Sequence, residues 1–373
     1  MKDFLKNDKT ILCVILAIAI FLRIWLIKFS NPLSNDEYIA YSFGSFKFPF
    51  DFFDAIKTNS FAPLHSFYLS IYGSIFKNYS AMLGLSSLFA NVLAIIVMYI
   101  TGRTYFLKNA SFQIGLCAAA ICAISAFLIA SSYGSGVNSF TFLLSTFVLL
   151  FSIKSYQSPS KKNSLWLLVF SVLLVLEHTI AIIFVIFNAF AIVAFAQRSK
   201  KNKDYITPII GAFVLCLPLI PFFIRIFAHP TYLSKWWIPF NWYNLCSYFT
   251  DLFSPILNAQ FNLQNITFII FGLVPCLIAL FLIVKSNIDT KRINKYLLCV
   301  FVSSFLTVVL ITIAGKLGFE TKHLLELYPV LILLVSSGWV QLQKNSKIAL
   351  ATIYVFLTLF YIVVSHIPSL NIL

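Results

Sequence analysis

Hydrophobic residues lie along this chain in long runs separated by short polar breaks, a pattern typical of membrane-spanning helices. A helix needs about 20 apolar residues to cross the hydrocarbon core of a bilayer. The runs predict an all-α integral membrane protein with about 11 transmembrane helices. The expected spans are approximately 10–29, 82–102, 111–130, 138–153, 164–176, 178–197, 206–227, 266–284, 296–314, 324–342 and 348–366.

The positions of lysine and arginine predict how these spans are oriented. With the N-terminus in the cytoplasm, six short segments lie inside, and they hold 18 of the 27 basic residues but only four of the 12 acidic ones. The positive-inside rule predicts this bias, and it places the C-terminus outside. The inside segments are 1–9, 103–110, 154–163, 198–205, 285–295 and 343–347. We therefore expect a multi-pass protein of the plasma (inner) membrane.

The composition narrows the class of protein. With 60% hydrophobic and only 10% charged residues, the chain excludes both a soluble enzyme and a disordered protein. The formal net charge of +15 comes almost wholly from the inside segments, so it records orientation and predicts no nucleic-acid partner. The other eight carboxylates and all five histidines lie on the outer side or at outer helix ends. Since chemistry at neutral pH draws on these groups, any active site is expected on the extracytoplasmic side.

The first outer loop, 30–81, holds the most informative polar residues. Ser34 and Glu37 have the spacing of a helix capping box, so Asp36 and Glu37 are explained either as a cap or as site carboxylates, with Asp36 as a general base. The segment Pro63–Phe76 has one apolar stripe and one polar face that includes His65, which predicts an interfacial helix. Its polar face either lines a site or rests on lipid headgroups.

Four motifs follow one another in an order found in one group of membrane enzymes. They are Asp36-Glu37, then Ala62-Pro63-Leu64-His65-Ser66-Phe67-Tyr68, then Gly102-Arg103-Thr104-Tyr105-Phe106, and near the end Lys322-His323-Leu324-Leu325-Glu326-Leu327-Tyr328-Pro329. Their order and topology resemble the membrane glycosyltransferases of the C superfamily, in particular bacterial relatives of protein O-mannosyltransferases and aminoarabinose transferases. The resemblance implies a single polytopic domain over 1–373, with a catalytic module at about 10–200, variable helices at about 206–373 and no soluble domain.

The resemblance also implies a reaction and a set of site residues. A polyprenyl-phosphate-linked sugar would be the donor, and a lipid, glycan or protein the acceptor, with inversion at the sugar. Asp36 would be the general base and Glu37 its neighbour. The substrate or its anionic lipid phosphate would be bound by His65, Tyr68, His178, Arg225, Lys322 and His323. For Arg225, simple snorkelling to the interface is an equal alternative.

Two departures from the family pattern keep other functions open. Gly136 stands where the family has a second-loop acid, and Asn138 stands where it has an arginine. A non-catalytic family member and a flippase or transporter of lipid-linked sugars are therefore the alternatives. We assign no cofactor and no metal site, although a divalent metal at Asp36 and Glu37 with His65 stays open.

Overall fold

The computed structural model describes thirteen stretches and single positions of the chain, and all structural statements below concern these residues. Every regular element among them is helical, as the sequence predicts, and none is a strand. The described residues are 2–27, 64–65, 67–68, 71, 79–105, 111–132, 137–195, 211, 248, 274–288, 292–313, 321–347 and 350.

Ten α-helices and two 3₁₀ segments make up the described part of the chain. Leu64, His65, Phe67, Tyr68 and Ile71 are also helical. In chain order the elements are α1 (Lys2–Ile27), α2 (Tyr79–Tyr105), α3 (Ser111–Ile124), α4 (Ala126–Ala130), α5 (Val137–Gln157), α6 (Lys161–Glu177), a 3₁₀ turn (Thr179–Ala181), α7 (Ile182–Phe195), α8 (Val274–Ile288), α9 (Arg292–Ile313), a second 3₁₀ segment (Thr321–Leu327) and α10 (Tyr328–Val340).

Three of these helices are long and apolar enough to cross a membrane. They cover Gly84–Tyr105, Val137–Gln157 and Arg292–Ile313, close to the expected spans 82–102, 138–153 and 296–314. The expected spans 206–227 and 348–366 lie outside the described residues except for single positions. The total of 11 spans, the orientation and the single domain over 1–373 stay predictions.

Helix α10 forms the centre of the described bundle. Every residue from Tyr328 to Gly338 is buried, although this helix has no polar face to distinguish it in sequence. It packs against α3 and α8. A Cβ atom at Gly338 would lie 1.9 Å from the carbonyl oxygen of Leu282 on α8, so the two backbones touch directly. Helices inside a bilayer commonly pack with their backbones close together at small residues, because the hydrophobic effect does not drive them to associate in lipid.

The expected span 111–130 is wrong as a single helix. It is broken at Ser125, whose backbone is extended (φ −60°, ψ 119°), into α3 and α4. The break leaves last-turn carbonyls of α3 without helical partners. The fully buried guanidinium of Arg23, on α1, donates to the carbonyls of Cys122 and Ala123 at 3.0 Å each. Arg23, about a hundred residues away in sequence, thus supplies hydrogen-bond donors to the carbonyl groups at the broken end of α3.

The expected separation of two spans at Glu177-His178 is present. Helix α6 ends at Glu177, and His178 is extended (φ −140°, ψ 102°) before the 3₁₀ turn that leads into α7. The expected span 324–342 differs, because its first turns form a 3₁₀ segment and α10 begins only at Tyr328. Pro329 favours that start, since proline is well accommodated in the first turn of an α-helix.

Candidate functional site

Two buried pairs, each of a histidine and a glutamate, lie at the junction of three segments that are distant in sequence. Nδ1 of His65 lies 2.9 Å from Oε1 of Glu177, and Nδ1 of His178 lies 3.4 Å from Oε2 of Glu326. We call these four residues the His–Glu cluster. Apart from His178, whose side chain is 14% exposed, no side chain of the cluster is more than 4% exposed.

The break between α6 and α7 lets two adjacent residues serve different pairs. Glu177 is the last residue of α6, whereas His178 has left helical conformation. The backbone N–H of His178 donates to the carbonyl of Leu174, and its carbonyl accepts from the N–H of Ala181, so both backbone groups are satisfied at the break. The side chain of Glu177 consequently reaches His65, in the segment before α2, while that of His178 reaches Glu326, in the second 3₁₀ segment.

Among the described helical residues of the segment before α2, exposure differs between His65 and Ile71. His65 is 3% exposed, whereas Ile71 is 37% exposed. The ring of His65 is buried among protein groups, whereas the rest of the predicted polar face lies outside the described residues. The ring centroids of Tyr68 and Phe140 lie 5.9 and 6.4 Å from that of His65.

Two tyrosines support the segment that carries Glu326. The hydroxyl of Tyr248 donates to the carbonyl of Leu324, and the hydroxyl of Tyr328 donates to the carbonyl of Tyr248, both at 3.3 Å. Burial raises the pKa of Tyr248 well above its ordinary value, and the negative charge of Glu326 raises it further. Tyr248 therefore keeps its proton and stays a hydrogen-bond donor.

The electrostatics of the cluster follow from its burial. A buried carboxylate is costly unless a cation or several donors face it. Each glutamate has one histidine as its ion-pair partner, and each histidine uses the same ring nitrogen, Nδ1. Both ring nitrogens of His65 and Oε1 of Glu177 are buried without a hydrogen-bond partner among the described residues, so this pair is a close contact of ion-pair type and not a well-aligned hydrogen bond. Each buried carboxylate of the cluster thus faces one imidazole.

The described residues contain no group of three or more histidine, cysteine, aspartate or glutamate side chains that would hold a metal ion. Within the His–Glu cluster, each glutamate pairs with a different histidine. Asp36 and Glu37, the carboxylates expected to contribute to any metal site with His65, lie outside the described residues.

Of the residues expected at the site, the structure describes three with their side chains. His65 and His178 belong to the His–Glu cluster, and Tyr68 lies against His65. The side chains of Arg225, Lys322 and His323 lie outside the described residues, as do Asp36 and Glu37, although the backbone of the 3₁₀ segment Thr321–Leu327 is described.

Sequence reasoning did not assign Glu177 and Glu326 to the site. It placed both on the outer side but gave neither a partner. Their position within apolar segments could have indicated a functional role, because burying an ionisable residue there costs free energy and such residues are commonly functional. The partners were not predictable, since each pair joins residues more than 100 positions apart in the chain.

Comparison with known proteins gives one informative result. No family model and no curated protein sequence matches the chain. Among solved structures, the chain is similar to the oligosaccharyltransferase of Archaeoglobus fulgidus, which was solved tethered by a disulfide bond to an acceptor peptide containing the NVT sequon. The TM-score is 0.55 at 12% sequence identity, and the match covers 95% of this chain but 54% of the other, so the chain spans about half the length of that enzyme. The likeness shows a shared helical fold.

Proposed function

We propose that this protein is a membrane glycosyltransferase that moves a sugar from a polyprenyl phosphate carrier to a lipid, glycan or protein acceptor at the outer membrane face. The observation that supports the proposal is the buried His–Glu cluster, in which His65 and His178, two residues that the resemblance assigns to the substrate, each pair with a buried glutamate. A fold shared with an oligosaccharyltransferase supports the same class, and the acceptor of that enzyme was a peptide.

The proposed reaction is a displacement at the anomeric carbon of the sugar. The acceptor hydroxyl forms a bond to this carbon and loses its proton to the carboxylate of Asp36. The bond from the carbon to the phosphate oxygen breaks, and polyprenyl phosphate leaves with the electron pair, so the configuration inverts. Glu37 supports Asp36, and cationic or N–H donors stabilise the leaving phosphate. His65 and His178 are the described residues suited to that last task.

Substitution of the proposed base tests the reaction. Asp36→Asn should abolish transfer, because an amide does not accept the proton of the acceptor at neutral pH. The matched control is Asp54→Asn, which removes a carboxylate from the same outer loop. Each variant is expressed in a host that lacks the chain, at equal membrane levels, and surface glycans and glycolipids are compared by mass spectrometry.

The expected result is a product that wild type and Asp54→Asn form and Asp36→Asn does not. Undiminished product from Asp36→Asn would remove Asp36 from the mechanism. Absence of any product from wild type, both in the host and with purified protein supplied with a polyprenyl-phosphate sugar, would contradict the proposed activity.

A non-catalytic protein that binds lipid-linked sugars is the second candidate. It is favoured by Gly136 and Asn138, which replace the acid and the arginine of the family pattern. This candidate predicts that the purified protein binds a polyprenyl phosphate but does not consume the attached sugar. The same product assay therefore separates it from the enzyme.

A further inference from the structure

We infer that one end of the helical bundle binds the headgroups of anionic phospholipids through four exposed basic side chains. Lys161 and Lys162 begin α6, and Arg292 and Lys295 lie in the first turn of α9. We call these four residues the basic patch. Because α6 runs from this patch to the His–Glu cluster at its other end, the inference concerns a separate surface and does not depend on the proposed transfer reaction.

The end of α5 brings the two halves of the basic patch together. Residues 158–160 connect α5 to α6, so the two lysines of α6 follow α5 directly. The ring of Tyr156, in the last turn of α5, stacks on the ring of Tyr296 in α9, with centroids 5.4 Å apart and an interplanar angle of 15°. Both basic residues of α9 lie within about one helical turn of Tyr296. The four cations therefore flank the same helix end.

No carboxylate in the described part of the chain neutralises the basic patch. The ion pairs among the described residues are the two of the His–Glu cluster, and Glu177 lies at the far end of α6. Asp289, which lies between α8 and α9 in the sequence, is outside the described residues. Lys154 and Lys285, in the last turns of α5 and α8, add charge of the same sign. This end of the bundle therefore attracts anions.

The stability of the two helices does not account for the basic patch. The first turn of an α-helix carries partial positive charge, so cations are unfavourable there and carboxylates are favourable. Neither α6 nor α9 has an acidic residue in its first turn. The start of α6 is stabilised instead by Ser160, whose side chain accepts a hydrogen bond from the N–H of Asn163. An external anion that faces the patch would relieve this unfavourable charge interaction.

The place of the basic patch in the bundle favours a lipid headgroup over a soluble anion. Helix α9 is long and apolar enough to cross a membrane, and its basic residues lie at its end, where lipid phosphates are expected. Trp166, about one turn after Lys162 on α6, is 41% exposed, and tryptophan favours the headgroup level. Clusters of basic residues at this level bind anionic lipids, with a gain of about fivefold for each cation.

Native mass spectrometry of the full chain tests the inference. The protein is released from nanodiscs that contain equal amounts of phosphatidylglycerol and phosphatidylcholine, and the retained lipids are counted. Wild type should retain phosphatidylglycerol preferentially. Replacing all four cations by glutamine should lower this preference at least fivefold, the contribution of one cation. The patch variant combines Lys161→Gln, Lys162→Gln, Arg292→Gln and Lys295→Gln.

The matched control removes the same charge from segments predicted to lie outside, and it should keep the preference of wild type. It combines Lys47→Gln, Lys57→Gln, Lys77→Gln and Lys235→Gln. A second control replaces the three lysines of the basic patch by arginine, which keeps the charge and should also keep the preference. The inference is overturned if the patch variant prefers phosphatidylglycerol as strongly as wild type does, or if the control with the outer lysines removed loses the preference equally.

A fluorescence measurement on the wild-type patch covers the case in which the patch variant fails to fold or to insert. The emission that is lost in Trp166→Phe reports on the lipids beside the start of α6. In the mixed nanodiscs, phosphatidylglycerol with brominated acyl chains should quench this emission more than brominated phosphatidylcholine does, and added salt should reduce the difference, since exposed charges are screened. Equal quenching by the two lipids would refute the inference. If soluble glycerol 3-phosphate abolishes the difference, the surface takes a free phosphate and the inference is equally wrong.

Discussion

The contact between α10 and α8 gives the sharpest prediction about stability. Gly338→Ala places a Cβ atom 1.9 Å from the carbonyl oxygen of Leu282, and 2.6 and 3.0 Å from its carbonyl carbon and Cα atom. All three are backbone atoms, so no side-chain rotation relieves the clash. Carbon and oxygen normally meet at about 3.3 Å, so the two helices must separate by about 1.4 Å. Gly84→Ala is the matched control, because nothing lies within 4 Å of its added Cβ atom.

The two substitutions should change the stability of the protein in opposite directions. Replacing glycine by alanine inside a helix stabilises it by about 0.5–1 kcal/mol, so Gly84→Ala should be neutral or slightly stabilising. Overpacking costs about 1–3 kcal/mol, and Gly338 lies where the helices are closest to each other, so we expect a net loss of about 2 kcal/mol or more. At about 2–4 °C per kcal/mol, the apparent unfolding temperature of Gly338→Ala should fall by at least about 4 °C.

The assay is thermal unfolding of the purified full chain in one detergent, followed by tryptophan fluorescence. A third variant, Gly338→Ala with Leu282→Ala, tests the cause of the loss. Because the clash involves backbone atoms of Leu282, truncating its side chain should not restore stability. An unfolding temperature of Gly338→Ala equal to that of wild type, or its recovery in the double variant, would refute this account of the interface.

Two further substitutions test the buried polar groups of the bundle. Arg23→Met leaves two buried carbonyls without donors, which costs about 1–3 kcal/mol each in folding free energy and is partly offset by removal of a buried charge, so the unfolding temperature should fall. Arg103→Met, at an exposed position, should leave the unfolding temperature unchanged. Equal effects of the two substitutions would contradict the role of Arg23. Asn188→Leu removes hydrogen bonds to Ser152 and Tyr296 and should lower the free energy of unfolding by about 1–2 kcal/mol. Tyr296→Phe removes the bond to Asn188 alone and should lower the free energy of unfolding by about half as much. An unchanged unfolding temperature would show that these bonds contribute nothing to stability.

Helix positions were largely predictable because long apolar runs carry their own signal. The expected spans 82–102 and 138–153 lie within α2 and α5, and the break at Glu177-His178 was located from its two ionisable residues. The break at Ser125 was not predictable, because no proline or glycine marks it. It is stabilised by Arg23, whose contact with α3 exists only once α1 has packed there.

The candidate site was predictable as a set of histidines but not as a set of pairs. His65 and His178 were expected on the outer side from charge bias and motif order. Nothing in their sequence neighbourhoods indicates that each would face a glutamate through Nδ1. Asp36 and Glu37 lie outside the described residues, so their role stays a prediction.

The sequence by itself determined that the chain is helical and apolar, and it predicts which end of each helix faces the cytoplasm. Those properties depend on the composition of each segment and its transfer into lipid, which are local quantities. Only the tertiary structure decided which buried charges meet. A carboxylate in an apolar environment requires a partner, but which residue supplies it depends on how the segments pack. That packing sets Glu177 against His65 and Glu326 against His178, and it separates two neighbouring residues into two different pairs.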